Sequence, residues 1–199
     1  QRIATAHKFP WAMTLGAIQD KSLITEMAAK IAEDCKRMGI NWDFAPVVDV
    51  NTNPENPIIG NRSFGSEVSN VVSSALAYSK GLQDNNILAA IKHFPGHGDT
   101  NTDSHLDLPV VSHDLKRLTD VELAPFKELM NKGIGGVMVA HLYVPALEKE
   151  KGIPASVSKN IITGILKEKY GYKGLIITDA LNMGAVAKRY KPGELDALA

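Results

Sequence analysis

Four short apolar runs punctuate the chain, at residues 44–50, Leu88–Phe94, 136–141 and Leu175–Thr178. They are rich in Val and Ile and apolar on successive positions instead of strictly alternating. That pattern predicts strands buried on both faces, as in a parallel sheet covered by helices. Between them the spacing turns helical. Leu23, Met27, Ile31 and Cys35 recur every four residues, which predicts a helix over 20–38 with that face inward and Gly39 as its stop. A second helix follows Ser66, whose hydroxyl is placed to cap it. It turns Val68, Val71, Val72, Ala75 and Leu76 toward the sheet, and Gly81 weakens its last part. Thr119-Asp120-Val121-Glu122 reads as a capping box for a third helix through Leu123, Phe126, Leu129 and Met130, kinked or restarted at Pro125. A fourth follows Ser158 and uses Ile161, Ile162, Ile165 and Leu166 before Gly171.

Strands alternating with helices predict an α/β architecture, whose polar chemistry sits in loops beyond the C-terminal strand ends. Four such units are half of an eight-unit barrel. The expected fold is therefore a (β/α)8 TIM-type barrel that is incomplete over residues 1–199, with barrel elements missing at both ends. A G-x-G-x-x-G turn after a strand and a Walker-type loop are both absent from the sequence, so nucleotide chemistry loses its usual anchors. Charge narrows the classes further. The 22 basic and 22 acidic residues cancel, which gives no whole-chain reason to expect nucleic acid or an anionic membrane as partner. No apolar run approaches the roughly 18–20 residues that a membrane helix needs. Cys35, the one cysteine, falls in a helical pattern and reads as core.

The densest polar cluster is Lys92-His93-Phe94-Pro95-Gly96-His97-Gly98-Asp99-Thr100, followed by Asp103-Ser104-His105. A buried strand presents Lys92 and His93 at its end, and Pro95, Gly96 and Gly98 shape the loop beyond. An aspartate two residues from a histidine can fix the imidazole tautomer, leaving the other ring nitrogen to transfer a proton; anchoring the ring for structure is the alternative. A metal site at His93, His97, Asp99, Asp103 and His105 matches no recognised ligand spacing, and no metal or cofactor is expected. Asp49 and Asp179 each end a strongly apolar strand. A structural role is favoured for Asp49 and a chemical one for Asp179, around which Ala180, Asn182 and Gly184 leave room for close approach. Arg62, between Gly60 and Gly65, can bind ligand oxygens with its fixed fork or tie two loops together, and His141 carries the same ambiguity.

Five strings in order carry a resemblance: Phe44-Ala45-Pro46-Val47-Val48-Asp49, Gly60-Asn61-Arg62-Ser63-Phe64-Gly65, Lys92-His93-Phe94-Pro95-Gly96-His97-Gly98, Asp103-Ser104-His105 and Ile177-Thr178-Asp179. The chain resembles the N-terminal barrel of the family 3 glycoside hydrolases, in their β-N-acetylglucosaminidase branch. The resemblance implies Asp179 as nucleophile, His105 as acid/base and Asp103 as its orienting partner. Arg62, Lys92 and His93 would bind sugar hydroxyls or the acetamido group, with Asp49 and His141 supporting the pocket. It further implies retaining hydrolysis of terminal β-N-acetylglucosaminides through an aspartyl glycosyl-enzyme, with peptidoglycan fragments (muropeptides) as the leading substrates. A broader family 3 β-glycosidase, a glycoside phosphorylase and a non-catalytic carbohydrate-binding barrel are the alternatives. Relatives that recycle cell-wall fragments would be cytoplasmic and others exported to the periplasm or cell envelope.

Overall fold

A computed structural model describes residues 6–102, 104, 107–191 and 193–199. Four parallel strands form one sheet: β1 (Trp42–Asp43), β2 (Leu88–Phe94), β3 (Gly136–Val139) and β4 (Leu175–Thr178). Their order in space is their order in the chain, so every crossover advances the sheet in one direction. This sheet with flanking helices is consistent with part of a (β/α)8 barrel. Among the described residues β1 and β4 are its edges, where Phe44 and Leu175 stay 46% and 51% exposed.

Two strands differ from their apolar runs. The ladder of β1 lies at Trp42–Asp43, ahead of the expected 44–50. Beyond it the chain still follows β2: Ala45 and Pro46 carbonyls accept from Ala90 and Lys92 N–H, and Val48 N–H donates to Lys92 O at 2.8 Å. Pro46 has no N–H to give, which breaks the ladder without moving the chain away. Similarly β3 ends two residues before His141, although Ala140 N–H still reaches Phe94 O at 2.8 Å.

The helices are α1 (Ala12–Gly16), α2 (Ser22–Arg37), α3 (Val68–Gln83), α4 (Leu115–Arg117), α5 (Ala124–Met130), α6 (Gly184–Ala187) and α7 (Glu194–Leu198). Wider π turns run over Leu118–Glu122 and Asn160–Lys169. None is long and apolar enough to cross a membrane. The buried face of α2 is Ile24, Ala28, Ala32 and Cys35, rotated from the predicted stripe, and Leu23 is half exposed. Small side chains decide this, because they let α2 press against α3. Gly81 then has a packing role in place of the predicted weakening: a Cβ there would lie 2.3 Å from Thr25 O and 2.6 Å from Ala28 Cβ.

Two predicted caps are corrected. Ser66 does not cap α3, which starts after Glu67 without a side-chain cap. The capping box at residues 119–122 is also absent. Asp114 caps α4 by accepting from Arg117 N–H at 2.7 Å, Thr119 turns its hydroxyl back to Leu115 O, and α5 restarts with Pro125 in its first turn. Ser158 accepts from Ile161 N–H at 3.2 Å at the start of the fourth helical segment. The core between sheet and helices centres on Phe94, edge-on to Phe126 at 5.2 Å.

A methyl group at Gly81 must push α2 and α3 apart, so Gly81→Ala should destabilise the protein by roughly 1–3 kcal/mol. Gly164, with nothing within 4 Å of its notional Cβ, should accept alanine at no cost or with a gain of up to about 1 kcal/mol. Urea melts of the two variants check the contrast; equal stabilities would refute the close-packed α2–α3 contact.

Candidate functional site

The loops beyond β1 and β2 meet at Asp49, whose carboxylate is fully buried. His97 N–H donates to Oδ1 at 2.7 Å, His93 N–H is shared between both oxygens at 3.2 Å, and His93 Nδ1 lies 2.7 Å from Oδ2. Burial by itself would raise the Asp49 pKa. The interactions with His93 and His97 outweigh it and hold the group below the usual carboxylate value.

Arg62 stands in the Gly60–Arg62 turn, with Nη1 donating to Ile58 O and Nη2 placed 3.3 Å from His93 Nε2. A guanidinium has only donors, so Nε2 accepts and the proton of His93 sits on Nδ1, facing Asp49. The turn is held by the Ser63 hydroxyl, which donates to Asp49 O at 2.6 Å. It is also held from outside by α1: a Cβ on Gly16 would overlap Phe64 O at 1.8 Å.

Lys92 leaves β2 where the register shifts between Lys92 and Phe94. Desolvation chiefly, and the Arg62 charge next, lower its pKa, while Asp179, Asp43 and Asp49 oppose the shift. Among the described residues no hydrogen bond holds its ammonium. Asp179 follows β4, its N–H bonded to Val139 O and its carboxylate accepting Ala180 N–H at 2.8 Å.

Behind that turn His141 Nε2 donates to Ala180 O at 3.1 Å; Nδ1 then accepts from the Ser156 hydroxyl at 2.7 Å. Burial lowers the His141 pKa against the opposing pull of Ala180 O and Asp179. His97 is fixed in the same way. Thr100 Oγ1 spends its proton on His97 O, so Nδ1 donates to that oxygen at 2.6 Å and Nε2 accepts from Ser104 Oγ at 3.4 Å. Burial pushes its pKa down to about 4.

A cavity of about 960 Å³ has Arg62, Lys92, His93, His97, Ser104 and Asp179 among its lining residues. Arg62, Lys92, His93 and Asp179 are thus gathered from the Gly60–Arg62 turn, the end of β2 and the turn after β4. Asp49 and His141 do not line the cavity; they are bonded to His93 and Ala180. Asp103 and His105 lie outside the described residues. Within the described residues no three His, Cys, Asp or Glu side chains converge as metal ligands would. Sequence reading gave no role to Ser104 or Ser156. Ser104 could have been suspected from its place between Asp103 and His105, whereas nothing local to Ser156 signals a partner fifteen residues away.

Residues 1–199 match the glycosyl hydrolase family 3 N terminal domain. The structure of a glycoside hydrolase family 3 β-N-acetylglucosaminidase from Paenibacillus sp. str. FPU-7 superposes with a TM-score of 0.94 at 44% identity, over 98% of this chain and 37% of that one. Beta-hexosaminidase A of Pseudoalteromonas piscicida is 38% identical over 200 residues, 94% of this chain and 33% of that protein. Beta-hexosaminidase LpqI of Mycobacterium tuberculosis is 37% identical over 191 residues, 93% of this chain and 48% of its own length. The chain therefore spans about a third to a half of these two curated relatives.

The buried His97 gives a stability signature. With a folded pKa of about 4 against an ordinary 6.5, the unfolded chain binds the extra proton between those values. Stability from this group is complete above about pH 6.5 and is lost as pH falls toward 4, by roughly 3 kcal/mol in all. Asp49, also depressed, adds a loss only below its ordinary 3.8. Urea midpoints of the full-length protein from pH 7.5 to 4 should fall, and in His97→Gln the fall should shrink. An unchanged slope in the variant would remove His97 as its source.

Proposed function

The chain belongs to the glycosyl hydrolase family 3 N-terminal domain, in the β-N-acetylglucosaminidase-like branch, and from this premise we propose that its protein cleaves terminal β-N-acetylglucosaminides with retention of configuration. Peptidoglycan-derived fragments are the proposed substrates. The observation that carries the reading is that Asp179 lines the same cavity as Arg62, Lys92 and His93.

In the proposed reaction Asp179 attacks the anomeric carbon while His105, oriented by Asp103, protonates the departing glycosidic oxygen. The C–O bond to the leaving group breaks as the aspartyl ester forms. His105 then takes a proton from water, which attacks the same carbon and frees Asp179. Two inversions give retention. Ser104, the chain neighbour of Asp103 and of His105, lines the same cavity, which supports a proton transfer there. Arg62 and Lys92 can donate to sugar oxygens and not accept, which suits a ligand offering hydroxyl and acetamido oxygens.

Asp179→Asn keeps size and removes the nucleophilic charge. In the full-length protein, an activated 2-deoxy-2-fluoro or N-acetylglucosaminide probe should label the wild-type peptide bearing Asp179 and leave the folded variant unlabelled, by intact mass and peptide mapping. Label on another carboxylate, with an active Asp179→Asn variant, would sink the assignment. His105→Ala should cost roughly 10²–10⁴ in kcat on a poor leaving group and much less on a nitrophenolate, which needs no proton. Asp103→Asn should fall on the same side. Equal losses on both leaving groups would contradict the acid role.

A further inference from the structure

Behind the cavity, away from its wall, a buried carboxylate ties the two site loops together. Glu122 is 3% exposed and accepts at Oε1 from both Arg117 Nε, at 3.2 Å, and Arg117 Nη2, at 3.1 Å; its Oε2 is buried without a partner among the described residues. The same Nη2 donates to Thr52 Oγ1 at 3.2 Å. Thr52 belongs to the loop that leaves Asp49. Glu122 lies against the other loop, so close that a Cβ on Gly96 would stand 2.7 Å from its Cβ. Gly96 closes the turn of which His93 O is the acceptor, at 2.8 Å.

The geometry depends on the π turn Leu118–Glu122, closed by Leu123 N–H to Leu118 O. On an α-helix residues 117 and 122 would point about 140° apart at ~3.6 residues per turn. Bonding from i to i+5 brings them to one side. The turn thus serves a pairing that regular helix would forbid.

We propose that Arg117 and Glu122 are positioning residues for the sugar-binding wall, clamping the Asp49 and His93 loops in register from behind. Arg117 is the cation that the described structure supplies to Glu122, and its second contact passes that constraint to Thr52. The load falls on the Asp49 carboxylate, which must receive N–H groups from His93 and His97 together. Loosening the clamp lets the His93 turn drift from Asp49, and Arg62, bonded to His93 Nε2, drifts with it. The functional half of the proposal rests on the cavity being the glycoside site.

The test uses Glu122→Gln, which keeps shape and removes charge, and Thr52→Val, which removes only the far end of the clamp and should fold even if the first variant does not. In the full-length protein, amide hydrogen exchange at His93 and His97 should quicken about tenfold in both, with Ala28 and Ala32 of α2 unchanged. KM for nitrophenyl β-N-acetylglucosaminide should rise about tenfold with a smaller change in kcat, the sign of lost binding and not lost chemistry. Unaltered exchange at His93 and His97 overturns the clamp whatever the substrate is. Faster exchange with unaltered KM overturns its role in sugar binding. A wild-type protein that turns over no N-acetylglucosaminide would defeat the substrate reading, and the exchange experiment would still decide the clamp.

Discussion

A carboxylate removed from water must find its compensation inside the protein, and the site is organised around how Asp49 does so. Desolvating one ion costs several kcal/mol. Hydrogen bonds to a charged acceptor return about 1.5–3 kcal/mol each. The two N–H groups and the imidazole that reach Asp49 therefore match the penalty in order of magnitude, and losing one would not leave a comfortable margin. All three come from the end of β2 and the turn that follows it. The loop after β1 is consequently useful only when the loop after β2 is correctly placed, and His93 and Arg62 inherit their positions from that mutual fit.

Bringing loops this close requires backbone without side chains. A Cβ on Gly98 would meet Val50 O at 1.9 Å, as one on Gly16 would meet Phe64 O at 1.8 Å. Each contact seats one loop of the site against another element by main-chain packing. The polar network then has little freedom to choose a different register. Side-chain chemistry and glycine placement are in this respect one device, since the hydrogen bonds to Asp49 span under 3.3 Å only if the glycines permit the approach.

The alternation of strands and helices was legible because burial on both sheet faces writes itself as continuous apolar runs. β2 and β4 fall where those runs lie, and β1 slipped only because Pro46 cannot donate to a ladder that its apolar neighbours suggest. The orientation of α2 was not legible from periodicity. Leu, Met and Ile at every fourth position outweigh Ala28 and Ala32 on any hydrophobicity count, yet the smaller residues allow the closer helix contact, while Met27 and Ile31 border the cavity. Arg62, Lys92, His93 and Asp179 could be named beforehand since each ends a strand or sits in a glycine-flanked loop. Glu122 could not. Its sequence signal was that of a capping box, and its partnership with Arg117 exists only because the turn widens to five residues.

The hydrogen bonds also settle what kind of surface the cavity presents. His141 turns both nitrogens to the protein, and His97 gives one to Thr100 and the other to Ser104. Burial disfavours a proton on either ring at neutral pH. His93 directs its proton to Asp49. The positive charge beside Asp179 is then supplied by Arg62 and Lys92, and the lowered Lys92 pKa records the cost of holding both together away from water. Among the described residues, a cavity lined by these donors and by the Asp179 carboxylate suits ligands that present both acceptor oxygens and an electrophilic carbon. That polarity, more than any individual contact, is what supports the proposal of a sugar as the ligand. In the proposed reaction, each sugar oxygen that accepts from Arg62 or Lys92 would turn the anomeric carbon toward Asp179 without requiring the ligand itself to be charged.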